Sequence, residues 1–230
     1  MKTYKHLFFD LDRTLWDFEK NSVKTLKLIF DKRDLHRIFP DFDTFIKVYK
    51  MHNEKLWDLY KLRRIKKHEL RNQRFLLTLN DFGVDDIVLA EQIGDDYVDL
   101  SPLQTDLFPY TIELLDYLKP KYQMHIVTNG FVEVQYKKLK NCGLEKYFTH
   151  VITSEEAKAS KPKPEIFHVA ISSANAKKTE SLMIGDDLEN DILGAKQYGI
   201  DQVYFNPERK KHTEQITFEV YHLKQITEIL

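Results

Sequence analysis

The chain has 230 residues, 42% hydrophobic and 13% aromatic, which excludes a disordered chain and suits one medium domain, or a core with an insertion. Its 35 basic and 36 acidic residues leave a net charge of -1, with no electrostatic footprint for a nucleic-acid polymer or a membrane surface. A single cysteine, Cys142, excludes an internal disulfide, and no apolar run approaches the ~18 residues of a membrane span.

The first element is HLFFD, residues 6–10. An uninterrupted apolar run of this length predicts a strand buried on both faces of a parallel sheet. It runs into Asp10, with Asp12 one residue beyond and Thr14 after that. Trp16 and Phe18 follow, suited either to packing or to stacking on a substrate base. Amphipathic stripes then run through 20–31, 43–62, 66–80 and 85–98; in the second, Phe45, Val48, Tyr49, Leu56, Leu59 and Tyr60 share a face. The stretch far exceeds one crossover. Residues 17–102 are therefore expected to form an inserted α-helical cap domain of about four helices, and residues 1–16 with 103–230 the core. The basic cluster KLRRIKKHELR, residues 61–71, is either a solvated face or an attractor of anions.

Past the insertion, helical patterns and apolar runs alternate. A helix is predicted at 111–119, a strand at 124–129 (MHIVTN), and a helix at 132–143 with Gly143 as its stop. A strand at 150–155 (HVITSE), a helix at 164–174, a strand at 181–186 (SLMIGD), a helix at 188–199 and a strand at 202–206 (QVYFN) complete the series. This order predicts a doubly wound parallel sheet, an α/β fold with a Rossmann-like core. In such sheets ligands bind at the carboxyl ends of the strands. Those ends carry Asp10 and Asp12, then Thr128-Asn129-Gly130, then Gly185-Asp186-Asp187 with Asn190-Asp191 beyond. Lys158, Lys161 and Lys163 follow the third strand. Residues two apart in an extended segment point the same way, so Asp10 and Asp12 address one ligand from one side. His125 reads as structural, and Cys142 has no base partner that would make it a nucleophile.

Four segments, D10-L-D-R-T14, Thr128 in IVTNG, Lys161 in KPKPEIF and G185-D-D-L-E-N-D191, stand in this order. The set resembles the four motifs of the haloacid dehalogenase-like hydrolases. The likeness spans essentially the whole core, and the helical insertion resembles the α-helical cap of that family's first class. The resemblance implies a magnesium-dependent phosphomonoester hydrolase. Asp10 would be the nucleophile, forming an aspartyl-phosphate, and Asp12 the general acid and then base. Thr14 would steady the loop around Asp12. Thr128 and the backbone N–H of Asn129 would bind phosphoryl oxygens, and Lys161 would hold the same charge from the other side. The Asp10 side chain, the Asp12 carbonyl and Asp186 would bind Mg2+, for which Mn2+ or Co2+ could substitute. Asp191 would orient Lys161 or a metal-bound water, and Asp187 would compete with Asp186 for the ion.

Within the family, the LFFDLDRTLWDF opening and IVTNGF look most like the bacterial pyrimidine 5'-nucleotidases. That implies a small phosphorylated metabolite, a nucleoside monophosphate, as partner. Sugar-phosphate hydrolysis or a phosphomutase would use the same core, and a receiver-like, phospho-accepting signalling domain is a reading of another class. The expected location is cytoplasmic, since the chain's start has neither the apolar core nor the cleavage site of a secretory signal. The expected state is a monomer or homodimer.

Overall fold

The computed structural model describes residues 3–230. The chain divides into two compact units. One comprises the N-terminal segment through Phe18 together with Thr105–Leu230, the other Glu19–Gln104.

The first unit is built on a six-stranded sheet: β1 (His6–Phe9), β2 (Gln123–Thr128), β3 (Phe148–Thr153), β4 (Ser181–Gly185), β5 (Asp201–Phe205) and β6 (Phe218–Val220). The strand order is β3-β2-β1-β4-β5-β6, and every neighbouring pair is parallel. The order reverses at β1, which pairs with β2 on one side and β4 on the other. Period-two alternation sends Leu7, Phe9, Met124, Ile126, Leu182 and Ile184 into one core layer. Phe8, Val127, Ile152 and Met183 go into the other, with Ile166, Phe167 and Ala170. Both faces are covered, which is why the strands read as continuous apolar runs. β6 was not predicted: three residues beyond a polar loop give too short a pattern.

The other unit's helices are α1 (Phe18–Lys32), α2 (Phe42–Lys61), α3 (Lys67–Asn80) and α4 (Ile87–Leu100). Their stripes bury Leu26, Ile29, Phe45, Tyr49, Phe75, Leu79, Ile93 and Tyr97 in a separate core. Asp41 caps α2 by accepting from the Thr44 N–H at 2.7 Å, and Asp86 caps α4 through the Leu89 N–H at 2.9 Å. Buried Arg74 lies among aromatic rings, 4.7 Å from the Tyr97 centroid, and donates to Asn53 at 2.9 Å.

The remaining helices are α5 (Thr111–Leu118), α6 (Val132–Asn141), α7 (Pro164–Ser173), α8 (Gly194–Tyr198) and α9 (Ile226–Ile229). The predicted helix 188–199 is split: Leu188–Leu193 winds as a wide π turn before α8 begins. Such turns widen the backbone spiral by one residue and are frequent at functional sites. Among the described residues, no helix is long and apolar enough to cross a membrane.

Candidate active site

β1 stops at Phe9, but the Asp10 N–H still donates to the Ile184 carbonyl at 2.9 Å, so the ladder carries Asp10 to the sheet's carboxyl edge. The chain then turns tightly, with both the Leu15 and Trp16 N–H groups bonded to the Leu11 carbonyl. The turn brings Thr14 back over Asp10. Fully buried, its hydroxyl lies 3.1 Å from Asp186 Oδ1 and 3.4 Å from Asp10 Oδ2.

Of the three candidate lysines only Lys161 is buried, while Lys158 and Lys163 are exposed. The Asn129 side chain fixes its backbone from both sides: the Lys161 N–H donates to Oδ1 at 2.8 Å, and Nδ2 donates to the Lys161 carbonyl at 3.1 Å. The ammonium reaches Asp10 Oδ1 at 2.6 Å, the Val127 carbonyl at 2.7 Å and Asp191 Oδ1 at 2.7 Å. Two of these contacts, to Asp10 and to the Val127 carbonyl, are hydrogen bonds, and the third, to Asp191, is an ion pair. Asp191 Oδ2 also accepts from the Asp187 N–H at 3.2 Å. This packing requires glycine at 185, where any Cβ would overlap the Asp191 carboxylate.

Asp186 and Asp187 are adjacent but separate in role. Asp187 caps the π turn, accepting from the N–H groups of Glu189 at 3.1 Å and Asn190 at 3.0 Å, and from the Asn190 side chain. Asp186 joins Asp10 and Asp191, and one carboxylate oxygen of each lies within 4.8 Å of the others. Burial is the main force on all three, raising each carboxyl above the ordinary range, Asp10 to about 7. Neighbouring carboxylates add to this, Asp191 at Asp10, Asp10 and Asp191 at Asp186, and Asp187 at Asp191, while Lys161 opposes it at Asp10 and Asp191 and Arg13 at Asp186. Burial works against the Lys161 charge, but Asp10 and Asp191 outweigh it and hold the ammonium above its usual value. Three clustered carboxylates against one buried ammonium leave an excess of negative charge. An all-oxygen set of this kind fits a hard divalent cation, and the clustered carboxylates of Asp10, Asp186 and Asp191 are the groups that could hold one.

Asp12 has different partners. Its Oδ1 accepts from Lys138 Nζ at 2.5 Å and its Oδ2 from Gln135 Nε2 at 2.9 Å. The same Nε2 donates to Thr128 Oγ1 at 2.6 Å, which also accepts from the Gly130 N–H at 3.1 Å. With its acceptor sites so used, the Thr128 hydroxyl has its own proton to give. Lys138 Nζ lies 3.9 Å from the centre of the Trp16 ring. Trp16 is fully buried, so packing rather than stacking on a substrate is its realised role.

Sequence reasoning missed Gln135 and Lys138. The signal was there: Gln135, Lys138, Leu139 and Cys142 follow i, i+3, i+4, i+7 spacing, the stripe a helix turns inward. His125 is buried as expected, stacked between His6 and His150 at centroid distances of 5.5 and 5.3 Å.

Fold and site together define an α/β protein with a buried acid–lysine centre at the point where its sheet order reverses. The family model "haloacid dehalogenase-like hydrolase" matches residues 4–199, and the chain belongs to that family of hydrolases. It is 30% identical to the HAD-hydrolase YfnB of Bacillus subtilis, covering 100% of this chain and 97% of that protein. A crystal structure of YfnB bound to magnesium superposes with a TM-score of 0.90 at 28% identity, covering 99% of each chain. The pyrimidine 5'-nucleotidase PynA of Streptococcus pneumoniae is 33% identical over 99% of this chain and 95% of its own length. A glyceraldehyde 3-phosphate phosphatase of Pyrococcus furiosus is 29% identical over 100% of this chain and 94% of its own.

Proposed function

We propose that the chain is a magnesium-dependent phosphomonoester hydrolase acting on nucleoside 5'-monophosphates, pyrimidine nucleotides foremost. The observation that carries the chemistry is the division of labour at the end of β1. Asp10 is packed against Lys161 with Asp186 and Asp191, and Asp12, two residues on, is held by a separate pair. Two carboxylates in unlike surroundings suit unlike tasks.

Asp10 attacks phosphorus while the bond to the leaving oxygen breaks, and Asp12 gives that oxygen its proton. In the second half, water attacks the phosphorus of the aspartyl-phosphate and Asp12 takes the water's proton. The phosphorus–oxygen bond to Asp10 then breaks, and its electron pair returns to the carboxylate. Lys161 keeps Asp10 oriented and offsets its charge. The Thr128 hydroxyl donates to a phosphoryl oxygen, with the Asn129 backbone N–H beside it, as preorganised donors. A bound Mg2+ would neutralise phosphate charge and lessen its repulsion of the nucleophile. By the family resemblance, substrate selection falls to the helical unit, whose extent is Glu19–Gln104.

The nucleotide preference draws on the likeness to PynA, the alternative of a sugar phosphate on the Pyrococcus relative. The test is phosphate release from pyrimidine and purine monophosphates and sugar phosphates, with Mg2+ and with chelator. Metal-dependent turnover led by pyrimidine nucleotides is expected, and turnover of sugar phosphates alone would discard the nucleotide reading. Asp10→Asn should remove at least about 10³-fold of the activity, the scale of losing a member of a catalytic unit, and keep the wild-type circular dichroism. Near wild-type turnover in that variant would show that Asp10 is not the nucleophile.

A further inference from the structure

We propose that Gln135 and Lys138 are positioning residues for Asp12, setting the direction in which it exchanges protons; this rests on the phosphomonoesterase reading above. α6 carries three lysines. Lys137 and Lys140 are exposed, as helix lysines ordinarily are, but Lys138 is 3% exposed. Taking an ammonium out of water is costly, and breaking a buried pair leaves that cost uncompensated, so a buried lysine is kept with a partner. Its partners here are the Asp12 carboxylate at 2.5 Å and the face of Trp16 at 3.9 Å. Gln135 stands one turn earlier on the same helix and is fully buried.

The two residues grip different oxygens of one carboxylate, and two anchored points fix the plane of the group. Each oxygen keeps a second lone pair, and proton exchange with the leaving oxygen or with water takes place there. Gln135 Nε2 is shared between Asp12 and Thr128, so a single amide ties the proton-transfer group to a phosphoryl donor. Gly130 is part of the device, because a Cβ there would collide with the Gln135 amide. Lys161 and Lys138 divide the two carboxyl groups between them, one ammonium beside Asp10 and one beside Asp12.

The experiment compares Lys138→Met, Gln135→Met and Lys138→Arg with wild type on two esters, p-nitrophenyl phosphate and an alkyl phosphate. Single-turnover rates are read with Mg2+ present, and thermal melts are taken on each variant. Nitrophenolate leaves without a proton and an alkoxide does not. A misdirected Asp12 should therefore cost about 10²-fold on the alkyl ester, the scale of a misplaced catalytic group, and under about 5-fold on the aryl ester, with KM little changed. For the variants lacking a positioning group, steady-state turnover of the aryl ester should show a burst of one nitrophenol per enzyme, because water attack still needs Asp12. Lys138→Arg should restore the wild-type ratio of the two rates. Equal losses on both esters, in variants that melt like wild type, would overturn the proposal, as would unchanged rates. If Lys138→Met does not fold, Gln135→Met reads the same ratio. Wild-type protein inactive on every ester would overturn the phosphatase reading and this one with it. Active wild type, an inactive Asp10→Asn and an unchanged ester ratio would overturn this one alone.

Discussion

Asp10 and His125 show how one cause, burial, moves two kinds of group in opposite directions. It raises the Asp10 carboxyl to about 7 and lowers the His125 imidazole to about 3. The charged form loses water in both cases, and for His125 the neighbouring His6 and His150 add to the effect. The sign for stability follows. His125 is neutral in the fold well below the pH near 6.5 at which it would titrate in the unfolded chain. Its favourable contribution is complete above about 6.5 and is lost as pH falls toward 3. His125→Leu should therefore move the midpoint of acid unfolding to lower pH, as followed by circular dichroism; an unmoved midpoint would mean that other groups govern acid unfolding. Asp10, Thr128 and the Asp186-Asp187 pair could be placed from the sequence because strand ends in a parallel sheet have a known place, whereas the choice of Lys161 over Lys158 and Lys163, and of Asp186 over Asp187, rested on the family resemblance alone. Lys138 lies on the inward stripe of its helix, but a lysine in a lysine-rich helix looks solvated, and its burial is explained by the Asp12 carboxylate and the Trp16 ring it meets.

Among the elements, β4 and the π turn after it form one packed piece. Gly185 ends the strand, the Asp191 carboxylate occupies the space a Cβ would take, and Asp187 closes the turn. Gly185→Ala should push Asp191 away from Lys161. It should cost about 1–3 kcal/mol of stability, the usual penalty of overpacking, and reduce phosphate release, read by urea unfolding and a phosphate assay on the same preparation. A variant with wild-type stability and rate would mean that the turn yields freely. The helical unit illustrates the limits of pattern reading at this scale. The stripes located α1 to α4, yet they say nothing of Arg74, whose place among Tyr49, Phe75 and Tyr97 depends on three separate helices. The π turn was invisible for a related reason: LENDILGAKQYG has ordinary helical periodicity, and the widening arises where Asp191 turns toward Lys161.

For the molecule as a whole, the acidic centre links metal, proton and fold. With the carboxyls of Asp10, Asp186 and Asp191 raised, the folded chain holds protons that the unfolded chain releases. Their contribution to stability is greatest below about pH 4 and declines as pH rises, for Asp10 as pH passes through about 7. A divalent cation competes with those protons, so Mg2+ should raise the melting temperature more at pH 8 than at pH 5.5. At about 100 times its dissociation constant the gain at pH 8 should approach 2.7 kcal/mol. Thermal melts with Mg2+ and with chelator at both pH values measure it, and a gain independent of pH would place the ion elsewhere.

The position of β1 in the sheet also sets an order of assembly during synthesis. The strand that carries Asp10 is made first and ends up between β2 and β4, which begin only at Gln123 and Ser181. At about 5–20 residues per second, β1 waits roughly 6–23 s on the ribosome before its first neighbour exists. In that interval the whole of Glu19–Gln104, with a core of its own and largely local helical contacts, can fold. The carboxylates at the end of β1 therefore lack Asp186 and Asp191 until the nascent chain has delivered them, and a polypeptide stalled before β4 holds the residues of the helical unit and no complete acidic centre.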